Sequence, residues 1–129
     1  MSEQFKVEII TPEQTILNSE ASEVIIPSFE GQMGILKDHI PLVTFLRPGI
    51  VFINSKEEKK FYVEEGTVEF SNNNLLILTS TVKDLKNFDK KVLESLLNKA
   101  EKKLVDINSN DKEKYVASYM IETLKEINQ

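Results

Sequence analysis

Residues 5–11 set the pattern for the first two thirds of the chain. Phe5, Val7 and Ile9 alternate with Lys6 and Glu8, the two-residue period of a strand with one buried face. Thr11-Pro12-Glu13 closes it, because Pro12 lacks a ladder donor and biases Thr11 away from helix. The apolar pair Ile16-Leu17 and the polar run 18–22 lead to a second strand at Val24-Ile25-Ile26, stopped by Pro27. Glu30-Gly31-Gln32-Met33-Gly34 reads as a turn opening onto a brief strand through Ile35-Leu36. Further strands are predicted over 42–46, 50–53, 61–63, 67–70 and 75–79. They are divided by Arg47-Pro48-Gly49, by a charged tip over 54–60, by Glu64-Glu65-Gly66 and by 71–74. Short strands at this spacing predict an antiparallel sandwich or barrel.

Around 83–87 the period changes. Leu93, Leu96, Leu97, Ala100 and Leu104 fall on one face of a helix, with Asn87 or Asp89 as its N-cap. Asn108-Ser109-Asn110 forms a turn, and Asn110 with Glu113 three positions later makes a capping box. Ala117, Met120, Ile121 and Leu124 give a second stripe, flanked by Val116 and Ile127. The predicted fold is therefore an all-β antiparallel sandwich over 1–86, followed by an antiparallel α-helical hairpin over 87–129. Burying a leucine-sized side chain gains roughly 1.5–3 kcal/mol, while ordering one residue's backbone costs roughly 1–2 kcal/mol. Two narrow stripes cannot carry some forty residues on those terms, so the hairpin must dock on the sandwich or on another protein.

Composition narrows the chemistry more than it alters the fold. A 40% hydrophobic and 29% charged chain belongs with ordinary soluble globular proteins. Its net charge of −5 argues against a nucleic-acid partner, which would need clustered cations to neutralise phosphates. No cysteine is present, which removes disulfides and thiolate metal sites. No stretch approaches the roughly 20 apolar residues that span a bilayer, so no direct membrane insertion is expected. The amino terminus lacks the basic and apolar regions of a secretory signal.

No catalytic constellation stands out. His39 is the single histidine and can build neither a two-histidine metal site nor, without a nucleophile, a catalytic triad. Glu57-Glu58 and Glu64-Glu65 are neighbours whose side chains point to opposite faces of a strand, unlike an acid/base dyad. No Walker-type loop occurs, and neither a metal nor a cofactor site is expected. Punctuation is concentrated instead in 29–51, which holds three of the four glycines and two of the four prolines. Apolar runs between such turns suit a rigid recognition edge.

Those same residues resemble a known family. Glu30-Gly31, Gly34, Leu36, His39, Pro41-Leu42, Leu46, Pro48-Gly49 and Val51 match, at the same spacing, the pattern of the epsilon subunit of bacterial-type rotary ATP synthases. The likeness extends over Thr11-Pro12-Glu13, Val24-Ile25-Ile26-Pro27 and Leu75-Leu76-Ile77-Leu78. It implies a non-catalytic central-stalk rotor subunit of a proton-translocating enzyme, held peripherally at the cytoplasmic face of the inner membrane. The implied partners are the gamma subunit, the ring of c subunits and, through the hairpin, the alpha/beta catalytic head. Glu30, Gly31, Gln32, Met33, Gly34, His39 and Pro41 would then lie on a ring-facing or stalk interface, and the hairpin would modulate ATP hydrolysis. Lys37 replaces a usual proline, and Glu65-Gly66-Thr67 a usual Gly-Gly-aromatic turn. Asp111 and Lys114 are only vestiges of a nucleotide site, because lysine lacks arginine's bidentate fork, so ATP binding is expected to be weak or absent. Lysines and glutamates interleave along the second helix, which argues against a strong electrostatic clamp on the head. From the residues alone, the competing identity is a free-standing β-sandwich module for a small ligand or peptide; a hydrolase centred on His39 ranks below it.

Overall fold

The computed structural model describes residues 3–127, so the expected spans 1–86 and 87–129 begin and end outside the described residues. Ten strands come first: β1 (Phe5–Ile10), β2 (Thr15–Ala21), β3 (Glu23–Ser28), β4 (Gly31–Leu36), β5 (Leu42–Leu46), β6 (Gly49–Asn54), β7 (Lys59–Val63), β8 (Gly66–Ser71), β9 (Asn74–Thr79) and β10 (Val82–Asp84). A single 3-10 turn, Leu85–Asn87, leads to the helices α1 (Lys90–Val105) and α2 (Asp111–Ile127). The strands fold into two five-stranded layers, ordered β10-β7-β6-β3-β4 and β5-β8-β9-β1-β2. One pairing, Ser28 with Leu46, joins the layers at a corner. Pairing is antiparallel throughout except between β1 and β9.

The expected sandwich followed by a helical hairpin is the fold observed, with four local corrections, the first being β10, a strand paired with β7 where the sequence showed only a change of period. β2 was expected as an apolar pair and a polar run. Its inward face is Leu17, Ser19 and Ala21, too small and polar to show the alternation by hydropathy. β3 does not stop at Pro27 but runs through it to Ser28. The carbonyl of Pro27 accepts from Arg47 N at 2.9 Å, on the side where pairing with β6 has ended and pairing with β5 has not begun. A missing donor costs little in that gap. The segment 30–34 is mostly strand: the turn is confined to Phe29-Glu30, and β4 pairs with β3 from Gly31 onward.

Between the layers, Val7, Ile9, Ile26, Ile53, Val68 and Ile77 are fully buried, and Phe5 meets Phe70 edge-on at 5.6 Å. Gly49 is required where β6 crosses β3, because a Cβ there would lie 2.5 Å from Pro27 Cβ. Of the two candidate caps for α1, Asp89 serves, its carboxylate accepting from Lys91 N at 2.9 Å. The expected capping box opens α2: Glu113 N donates to Asn110 Oδ1 at 2.7 Å, and Asn110 N to Glu113 Oε1 at 3.0 Å.

The hairpin lies docked on the outer face of the first layer. Along β7, Phe61 and Val63 point into the sandwich, whereas Tyr62 points the other way into the cluster of Leu93, Ala100, Ala117, Met120 and Leu124. Strand alternation therefore gives one short run, Phe61-Tyr62-Val63, to two cores at once.

Candidate functional site

The segment 29–51 runs from the β3–β4 turn through β4, the loop that follows and β5 into the start of β6. Ser28, fully buried, ties the turn: its Oγ donates to the Gly31 carbonyl at 2.7 Å and accepts from Glu30 N at 3.2 Å. Gly31 sits at φ 117°, a conformation that side-chain-bearing residues rarely adopt. Along β4, Gly31, Met33 and Ile35 face inward, and Met33 packs against the core. Gln32, Gly34 and Leu36 are exposed on the outer face, where Gln32 lines a small cavity with Tyr119, Glu122 and Glu126 of the docked α2. β4 pairs only with β3, so among the described residues it is an edge.

His39 and exposed Pro41 lie past the far end of that edge. Six residues of β4 at ~3.3 Å each put them roughly 20 Å from Glu30. The structure thus spreads the expected contact residues along one edge and does not gather them into a pocket. Asp38 and Asn73, both at positive φ, hold this end together: Asn73 Oδ1 accepts from Asp38 N at 2.7 Å, and Asn73 Nδ2 donates to Asp38 Oδ1 at 2.9 Å. His39 rests edge-on against Phe70 at 5.9 Å, and its Nδ1–H donates to the Ile40 carbonyl at 2.7 Å. No nucleophile is among its hydrogen-bond partners.

A second surface is one that the sequence pattern half reveals. In β5, Leu42, Thr44 and Leu46 face inward, yet the outward residues Val43 and Phe45 are also apolar, 70% and 58% exposed. Register carries this face across the layer, with Phe45 opposite Thr67, Thr67 opposite Leu78, and Leu78 opposite Ile10. Leu78 is also exposed. A shallow groove of about 510 Å³ runs beside it, lined by Phe29, Phe45, Leu46, Glu65, Gly66, Thr67 and Lys112. Apolar residues on both faces of a strand signal an outer face that awaits a partner.

The contacts that seat the hairpin are the residues the sequence concealed. Phe29 stacks on Tyr115 with ring centroids 5.3 Å apart, Tyr115 meets Tyr119 at 4.8 Å, and the Arg47 guanidinium lies 4.1 Å over the Tyr119 ring. The four-residue spacing of Tyr115 and Tyr119 was the available signal. Deeper in, Tyr62 Oη donates to Glu64 Oε2 at 3.1 Å. Burial, reinforced by the charge of Glu64, pushes the Tyr62 phenol well above its ordinary range. Burial likewise raises the Glu64 carboxyl, against the opposing Tyr62 hydrogen bond and the Lys99 charge.

A cleft of about 410 Å³ separates α1 and α2 from the β7–β8 turn, with Glu64, Lys99, Lys103, Lys112 and Glu113 on its walls. Its charges answer one another: Lys103 pairs with Glu113 at 2.6 Å, and Lys112 with Glu65 at 3.8 Å. Asp111 and Lys114 are exposed and line none of it. Among the described residues no group of three or more histidines and carboxylates could hold a metal ion, and no helix is long and apolar enough to cross a membrane.

Residues 4–84 match the family described as "ATP synthase, Delta/Epsilon chain, beta-sandwich domain". The ATP synthase epsilon chain of Pelagibacter ubique is 48% identical over 130 residues, covering 99% of this chain and 100% of that one. The chloroplastic epsilon chain of Pyropia yezoensis is 37% identical over 116 residues, 89% of this chain and 86% of its own. A chain in the cryo-EM structure of the Euglena gracilis mitochondrial ATP synthase OSCP/F1/c-ring superposes with a TM-score of 0.78 at 20% identity, covering 98% of this chain and 82% of that chain. A chain of the Tetrahymena thermophila mitochondrial ATP synthase central stalk and c-ring gives 0.68 at 17% identity, covering 99% and 98%. At such identities these two likenesses speak to the fold.

Proposed function

The chain belongs to the ATP synthase epsilon-chain family, as a non-catalytic subunit of that complex, and from this premise we propose that it couples the gamma subunit to the ring of c subunits within the rotor. The outward apolar face of β5, β8 and β9 is the gamma-docking surface. Its support is the exposure of Val43 and Phe45 on a strand whose other face is already spent on the core. The β4 edge from Glu30 to His39, with Gln32 and Gly34 outward and Pro41 beyond, rests on the c ring. A turn tied by buried Ser28 and a loop clamped by Asp38 and Asn73 make that edge stiff enough to pass torque. The hairpin modulates ATP hydrolysis by leaving its docked position for the alpha/beta head. The subunit works peripherally at the cytoplasmic face of the inner membrane of a proton-driven enzyme.

The observation that carries this function is the doubly apolar β5. Co-elution of the full chain with purified gamma and catalytic subunits tests it. Wild type should run with gamma, and the Val43→Asp/Phe45→Asp variant, whose changes face solvent, should remain folded by circular dichroism and elute alone. Unchanged co-elution of that variant would place gamma elsewhere; failure of wild type to co-elute would remove the proposed function.

A further inference from the structure

The outward face of the second layer is uncharged in one row and interrupted by carboxylates in the next. The row of Phe45, Thr67, Leu78 and Ile10 carries no charge. Two residues along each strand, Val43 lies opposite Glu69, Glu69 opposite Leu76, and Leu76 opposite Glu8. Val7, Val68, Leu75 and Ile77 fill the core, so strand alternation turns Glu8, Glu69 and Leu76 outward. Two carboxylates thus flank one half-buried leucine, with Cα atoms about 10 Å apart across two strand spacings. Among the described residues neither Glu8 nor Glu69 is ion-paired, and Lys6, one row further on, lies opposite Glu20. Residues 1–86 hold 13 Asp and Glu against 8 Lys and Arg, so the whole net charge of −5 resides before the hairpin.

We propose that the gamma segment seated on this face sets a single basic side chain over Leu76, held between Glu8 and Glu69, while its apolar side chains cover Val43, Phe45 and Leu78. The inference rests on the proposed placement of gamma in the preceding subsection and adds the chemistry that the segment must carry. Its physical basis is desolvation. A partner that covers Val43 and Leu76 also covers Glu69, which lies between them, and draws Glu8 out of water beside it. Burying two carboxylates with no cation to answer them would oppose the apolar contact. One cation over Leu76 answers both, and the planar fork of arginine, with donors to spare for two acceptors, suits the position better than the single ammonium of lysine.

Affinity of the full chain for purified gamma, measured by titration calorimetry at low and high salt, tests the arrangement. Glu8→Gln and Glu69→Gln keep the shape of the side chain and should remain folded by circular dichroism. Each should weaken gamma binding by roughly 10- to 150-fold, the range of a hydrogen bond to a charged group, and flatten its salt dependence. Glu20→Gln removes the same charge from the same face, outside the pair, and should weaken binding by no more than about fivefold. Equal losses in all three variants would show steering by net charge and overturn the shared cation, as would a loss confined to Glu8→Gln or to Glu69→Gln. Unchanged affinity in both, while Val43→Asp/Phe45→Asp still abolishes binding, would overturn it too and leave the placement of gamma standing. Absence of gamma binding to wild type would overturn both.

Discussion

Replacing Tyr62 by alanine should detach the hairpin and leave the sandwich intact. The ring is wholly buried, but among helical residues: Leu93, Ala100, Ala117, Met120 and Leu124 surround it, and Phe88 lies 5.7 Å away. An aromatic side chain buries roughly 150–250 Å², which at ~25 cal/mol per Å² amounts to about 4–6 kcal/mol, an upper figure because an alanine would remain. Measured aromatic-to-alanine losses of about 3–5 kcal/mol agree in size. That loss falls on docking, since Phe61 and Val63, the residues on either side, keep their places in the sandwich core. At 1.36 kcal/mol per decade, exchange throughout α1 and α2 should speed by about two to three and a half orders of magnitude. Amides of β1, β8 and β9 should keep their wild-type protection, and Phe61→Ala should show the reverse emphasis, with losses across the sandwich. Uniform loss of protection in Tyr62→Ala, or unchanged exchange in the helices, would refute the assignment of Tyr62 to a separate docking core.

Other expectations follow from individual contacts. Tyr62 should make docking sensitive to alkali: its phenol is raised above the ordinary value of 10.0, so the stability it contributes is whole below that pH and is lost as pH climbs beyond it. Tyr62→Phe should abolish that alkaline loss in a circular-dichroism titration. Glu64 is also raised, so the docked state is favoured below the ordinary carboxylate value of 4.5 and is disfavoured progressively as pH rises through the folded-state value. Glu64→Gln, still able to accept from Tyr62, should therefore slow helical exchange at neutral pH. Gly49→Ala forces a Cβ onto Pro27 and should cost about 1–3 kcal/mol in urea unfolding, with loss centred on β3 and β6. Truncation after residue 86 should raise the ATPase activity of the assembled head only modestly, as the interleaved charges of α2 predict; a large rise would contradict a weak clamp.

Where the sequence was legible, a residue's role depended on its neighbours along the chain. The alternation in β1 and β8, the continuous apolar run of β9 and the three-and-four spacing in α1 and α2 announce themselves because each is local to its own element. The same is true of the Asn110–Glu113 cap, whose partners are three residues apart. β2 was hidden because Ser19 and Ala21 bring too little hydropathy to its inward face. The extent of β4 was hidden because its glycines suggested a longer turn than the two residues that make it. Docking was out of reach for a different reason. Tyr62 meeting α1 and α2, Phe29 meeting Tyr115, and Arg47 meeting Tyr119 join positions 31 to 86 residues apart, and no period in one sequence encodes such encounters. Of the expected interface residues, the sequence identified the segment; only the fold shows Glu30 and His39 at opposite ends of one edge.

If this chain transmits rotation between gamma and the c ring, as proposed, ATP-driven proton pumping depends on its presence. Membrane vesicles carrying the ATP synthase stripped of this subunit should hydrolyse ATP with little acidification of the lumen, and adding back the full chain should restore pumping for each ATP consumed. The Val43→Asp/Phe45→Asp variant should fail to restore it while remaining folded. Undiminished pumping by the stripped vesicles, or equal rescue by that variant, would contradict the claim.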